Sequence, residues 1–98
     1  MDKGAIMLER MGTALTTLQI KYRASHLPDR VKLKPKLEKL LQDYTSYQLR
    51  LIDEGIITTD ADLAEMAKLK LAIDKAARTQ QLAAAIAKTI AFIATKAV

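Results

Sequence analysis

Apolar residues recur along this chain at alternating spacings of three and four, the rhythm of amphipathic helices, and the places where it fails mark the joints. Leu8, Met11, Leu15, Leu18 and Tyr22 form one stripe, with Ile6 alongside, and predict a first helix over residues 2–24. Gly12 interrupts it at a cost of about 1 kcal/mol relative to Ala, and its missing side chain leaves room for another helix to approach.

Between residues 25 and 34 the rhythm is lost. Leu27 and Lys34 each precede a proline, which biases both away from helical dihedrals, so residues 25–29 read as a turn. Pro35 suits the start of a second helix, where its missing N–H costs nothing. That helix runs to about residue 54 and stops before Gly55, a common C-terminal signal. Its core stripe is Leu37, Leu40, Tyr44, Tyr47 and Leu51, widened by Leu41 and Ile52. Ile56 and Ile57, in the connector that follows, are expected to tuck under the end of the bundle. Thr59 or Asp60 caps a third helix, with Asp62 and Glu65 in its first turn, where acids complement the open N–H groups.

Residues 60–98 contain neither Gly nor Pro. A straight helix of that length is about 57 Å long, far beyond the radius of gyration of about 13 Å expected for a domain of this size. Within it the bulky stripe changes phase: Leu63, Met66, Leu69 and Ile73 share one side, and Leu82, Ile86, Ile90 and Ile93 share another, displaced by roughly 140°. The polar tetrapeptide Arg78-Thr79-Gln80-Gln81 lies at the change and holds none of the residues that usually break or cap a helix. The expectation is an all-α, antiparallel three-helix bundle whose long third helix is continuous. Its second stripe, Leu82, Ile86, Ile90 and Ile93, is then a self-association or partner surface, and Ile86→Asp or Ile90→Asp dissociates the assembly without loss of helicity. The alternative is a four-helix bundle with a break near residues 78–81 and a fourth helix over residues 81–97. In both cases residues 1–98 make a single helical domain.

Composition supports the helical class, being rich in Ala, Leu, Ile and Lys and poor in Gly, Pro and aromatics. Cysteine is absent, which removes disulfides, thiol nucleophiles and thiolate metal sites. The N-terminal residues lack the cationic start and apolar run of a secretory signal. The most apolar stretch, residues 82–98, is shorter than the roughly 20 residues a spanning helix needs and contains Lys88 and Lys96. These features point to a cytoplasmic protein that does not enter a membrane.

Charge adds one feature. The chain carries a net charge of +5, and Lys21, Arg23, Arg30, Lys32, Lys34, Lys36 and Lys39 crowd the first connector, offset there by Asp29 and Glu38. This is a candidate contact surface for phosphate or for an acidic partner. No helix-turn-helix, zinc-finger or ribbon pattern accompanies it, and lysine outnumbers arginine. The acids Asp53, Glu54, Asp60, Asp62 and Glu65 gather at the second connector, without the spacing of a calcium loop. Two acids closing the second helix are unfavourable for its dipole and suggest a cationic partner nearby. An up-down bundle puts the basic and acidic connectors at opposite ends, so that an antiparallel pair of molecules matches each with the other.

Catalytic chemistry finds no support. His26 is the single histidine and reads as an exposed turn residue, without a second ligand for a metal. Three scattered glycines make no phosphate loop, and no nucleophile motif is present. Tyr44 and Tyr47 read as core residues with hydroxyls at the edge. No catalytic residue, cofactor, metal or small-molecule substrate is expected. The sequence therefore reads as a non-enzymatic helical interaction protein, an adaptor, chaperone-like, inhibitor or immunity-type module that binds protein, itself included. The second reading is a basic nucleic-acid-associated protein that uses the first connector.

Overall fold

The computed structural model describes residues 2–96 and is all-α, with four helices among those residues. Helix α1 spans Lys3–Ala24, α2 Leu27–Asp53, α3 Asp60–Lys75 and α4 Thr79–Lys96. Ala97, the last residue of the alternative fourth helix, and Val98, the end of the continuous one, lie outside the described residues. The molecule measures 40 × 22 × 18 Å, so α2, about 40 Å long at 1.5 Å per residue, runs its full length.

Consecutive helices are antiparallel, but the closest neighbours are the parallel pairs α1 with α3 and α2 with α4. Contacts between helix ends mark this order. Lys3 meets Asp60 at 3.0 Å, joining the starts of α1 and α3, while Lys21 near the end of α1 reaches the end of α3. The core lies between the pairs and holds Met7, Met11, Leu18, Leu33, Leu40, Met66, Ile73 and Ile86, each no more than 1% exposed. Gly12 faces Tyr44: a Cβ there would sit 3.4 Å from the tyrosine hydroxyl. That hydroxyl lies 3.5 Å from the Leu8 carbonyl, so the absent side chain lets α2 press onto α1.

The expected continuity of the third helix is corrected by the structure. Helix α3 ends at Lys75, Ala76 turns to extended dihedrals (φ −64°, ψ 113°), and α4 begins three residues later. Two contacts stabilise the joint. The Lys21 ammonium donates to the carbonyls of Ile73, Asp74 and Ala76, each at 2.8 Å, and so satisfies the acceptors that end a helix. The Gln81 carbonyl oxygen accepts from the N–H groups of Ala77 and Arg78 at 2.9 and 3.1 Å. Gln81 thus acts from the third position of α4 as the glutamine of a capping box does.

Breaking there resolves the phase shift. Each half turns its own stripe inward, and Leu82, Ile86 and Ile93 are 4, 0 and 2% exposed, with Ile90 packed beside them. The four residues expected to form an association surface are core residues of a folded-back α4.

Other expectations also shift. Helix α2 starts eight residues before Pro35, with Pro28 in its first turn and Leu33 buried. Pro35 lies within the helix, where it removes the bond to the Val31 carbonyl; both residues are exposed, which leaves that carbonyl open to water. Ile57 does not tuck under the bundle but is 84% exposed, and Ile52, expected to widen the core stripe, is 66% exposed. The C-terminal stop at Gly55 (φ +64°) and the cap at Thr59 agree with the sequence reading, and the Asp62 side chain completes a capping box with Thr59. Among the described residues no helix is long and apolar enough to cross a membrane.

Candidate functional site

The alternating helix directions sort charge by end. The half of the molecule built from residues 19–43 and 70–83 holds ten of the sixteen Lys and Arg residues but only four of the eleven acids. Of the seven bases singled out in the sequence, Arg23, Lys32, Lys34, Lys36 and Lys39 are exposed and Arg30 is half-buried. Lys34 lies 4.0 Å from Glu38 and Lys39 3.1 Å from Asp43. Such exposed pairs one helical turn apart hold the side chains only weakly.

Lys21 differs from the other six. Its ammonium is committed to the three carbonyls that end α3, so it is a cap and not a phosphate contact. The joint it holds brings in a base that the sequence reading did not count, Arg78. Arg78 and Thr79 share a hollow of about 510 Å³ with His26 and Asp29, between the two short turns of this end. Next to it a groove of about 390 Å³ runs between α2 and α4, with Lys32 and Lys36 on one wall and Thr79 and Gln80, in the first turn of α4, on the other. The N–H groups of a first helical turn lack intrahelical acceptors and favour negative charge. Leu33 and Ala83 form the apolar part of the lining, and Asp29 adds one acid to it. His26, exposed at the N-cap of α2, makes no capping hydrogen bond with its side chain.

The acidic end is organised around its own bases. Asp62 accepts from Lys96 at 2.6 Å and from the Thr59 N–H at 3.0 Å, and the Thr59 hydroxyl accepts from the Asp62 N–H at 3.1 Å. Lys96 also lies 5.3 Å from the centre of the Phe92 ring. These contacts tie the last turn of α4 to the first turn of α3. The hydrogen bond from Lys96, and then that from Thr59, holds the Asp62 carboxyl below the ordinary carboxylate range, while the same pair raises the Lys96 ammonium. Tyr47, 2% exposed, is raised by burial and then by the Asp62 charge. The buried Thr58 hydroxyl lies near enough to Tyr47 to oppose that rise, but has no partner in hydrogen-bonding geometry.

These directions fix a pH dependence. The stability that Asp62 contributes is complete above the unfolded carboxylate pKa of about 4 and is lost as pH falls through its lower folded value. Lys96 acts in the opposite sense, contributing fully below about pH 10 and losing its contribution as pH rises through its raised folded value. Asp62→Asn is expected to cost about 1–2 kcal/mol at pH 7, from the weakened cap and the lost ion pair. It should also flatten the acid limb of stability below about pH 4. Urea unfolding at pH 7 and near pH 3 measures both effects.

Among the described residues no group of three or more His, Cys, Asp or Glu side chains is placed to hold a metal ion. Fold and charge together define a small four-helix protein with one strongly basic end. No protein-family model matches the chain, and no curated protein or solved structure is significantly similar to it.

Proposed function

We propose that this is a non-enzymatic helical interaction protein that binds an acidic protein segment along the groove between α2 and α4. The observation that carries the proposal is the composition of that groove: Lys32 and Lys36 outnumber its one acid, Asp29, and face the first turn of α4, with Leu33 and Ala83 completing the lining. Carboxylates of a segment lying there meet the ammonium groups and the open N–H groups, and a small apolar side chain meets half-buried Ala83, with Leu33 forming the buried floor. An acidic amphipathic helix supplies both kinds of group, which is the common arrangement of helix-in-groove recognition. A cytoplasmic location suits such a role.

The alternative partner is nucleic acid, supported by the exposed bases that continue past the groove. The apolar lining adds nothing to a phosphate backbone, and lysine gives no bidentate base reading. Protein is therefore the favoured partner.

Fluorescence anisotropy with two probes separates the readings: an acidic amphipathic peptide, and a DNA duplex, each titrated with the protein at low and high salt. The proposal expects peptide binding that weakens about tenfold or more when Lys32, Lys36 and Arg78 are changed together to Glu. Duplex binding that falls steeply with salt and is lost in the same variant, with no peptide binding, replaces it by the nucleic-acid reading. Binding of neither probe at low salt removes both.

A further inference from the structure

The outer face of α2 carries apolar residues that nothing in the fold covers. Leu27, Val31, Leu49 and Ile52 are 65, 65, 55 and 66% exposed. At 100° per residue they fall within about 60° of one another, on a face roughly 140° from the buried stripe of Leu33, Leu37, Leu40 and Tyr47. Lys34, Glu38 and Thr45, on the same face between them, are exposed as well.

The arrangement has a centre. Residues 27 and 52 are equidistant from a point near residue 40, and residues 31 and 49 share almost the same midpoint. Charge follows the same division: residues 27–39 hold five bases and two acids, residues 40–54 one base and three acids. This order is the reverse of what a helix dipole favours, since it sets cations toward the N-terminus and anions toward the C-terminus. A second helix lying antiparallel corrects both features, for it sets the acidic half against the basic half and opposes the two dipoles.

We infer that this face is the seat of a homodimer with two-fold symmetry, in which the α2 helices of two copies pack antiparallel about an axis near residue 40. Leu27 then lies on the partner's Ile52, and Val31 on the partner's Leu49. A parallel pairing sets base against base and acid against acid. A contact between identical surfaces about a two-fold axis is self-complementary, and the shared midpoint of the apolar pairs is the sequence form of that symmetry. The contact covers one helix face, at the low end of specific interfaces, so the dimer is reversible, with a dissociation constant in the micromolar range. It leaves the groove between α2 and α4 open on the other flank and does not depend on what binds there.

Sedimentation equilibrium over about 10 to 500 µM tests the pairing, with Val31→Glu combined with Leu49→Glu as the disrupting variant. The wild type is expected to pass from monomer to dimer, and the variant to stay monomeric, or to weaken about tenfold or more, with unchanged far-UV circular dichroism. Because the chain has no cysteine, register can be read by mixing a Leu27→Cys chain with an Ile52→Cys chain under mild oxidation. A mixed disulfide in excess of either like pair is the expected product. A wild type that stays monomeric throughout, a variant that dimerises as the wild type does, or a predominance of like pairs overturns the inference. A protein that dimerises in this register but binds no acidic peptide keeps this inference and loses the groove proposal; a monomer that binds the peptide does the reverse.

Discussion

Ile86→Asp is expected to unfold the protein. Ile86 is fully buried between the helix pairs, and a carboxylate there has no partner to offset the loss of its hydration. The penalty exceeds about 4 kcal/mol, against a total stability of about 5–15 kcal/mol for a domain of ordinary size. Far-UV circular dichroism should lose most of its helical signal, or the chain should remain helical only as a loose state with poorly dispersed amide resonances. Ile86→Val, which removes one methyl group, should cost only about 0.5–1.5 kcal/mol and keep the fold. The contrast tests the placement of α4. Had the Leu82, Ile86, Ile90 and Ile93 stripe been a surface, the aspartate would have changed the mass of an assembly and spared its helicity.

Lys21→Met is the second large effect. Methionine keeps an unbranched apolar stem of similar length and removes only the ammonium, leaving the carbonyls of Ile73, Asp74 and Ala76 without the donor that now reaches all three at 2.8 Å. Hydrogen bonds to a charged group contribute about 1.5–3 kcal/mol each, but water can replace part of what is lost at this half-buried site. The net cost is expected to be about 2–4 kcal/mol. Urea unfolding followed by circular dichroism measures it, and amide exchange should quicken first at residues 72–82. Lys21→Arg serves as a control for charge: a planar guanidinium cannot direct its donors at three carbonyls as an ammonium does. It should fall between the wild type and the methionine variant.

These two residues also mark how much of the fold was legible in the sequence. Periodicity located the helical segments well, because the core stripes Met11, Leu15 and Leu18 in α1 and Met66, Leu69 and Ile73 in α3 are set by local spacing. The start of α2 was obscured by two prolines whose effects depend on position: Pro28 falls in the first turn, where it is harmless, and Pro35 is tolerated because the carbonyl it leaves open belongs to exposed Val31.

The joint between α3 and α4 was visible only as a phase shift. Its local signal was Gln81 at the third helical position, and the first half of the usual capping pair is absent because Arg78 stands where Ser or Thr would. The decisive contact, from Lys21, comes from 52 residues or more away and has no local signature.

The candidate site was legible to the same extent. Six of the seven bases of the first connector lie at the basic end as solvent-facing or half-buried side chains. Lys21 was misassigned because its neighbours in sequence are basic while its partners in space are carbonyls. Arg78 and the first turn of α4 were missed because a continuous helix would have carried them on as part of a rod, away from the α1–α2 turn. The groove between α2 and α4 exists only because the chain turns at residues 76–78.

The position of α4 is therefore the central claim, and a distance across the joint tests it directly. Ala61 and Thr95 are both exposed, and the absence of cysteine allows spin labels to be placed at Ala61→Cys and Thr95→Cys alone. With α4 folded back against α3, as the contact of Lys96 with Asp62 requires, neighbouring helix axes lie about 8–10 Å apart. Pulsed electron resonance on labelled chains diluted in unlabelled protein should then give a separation of about 20 Å or less once the label arms are included. A distribution centred near 51 Å, the length of about 34 residues of unbroken helix, would contradict the account.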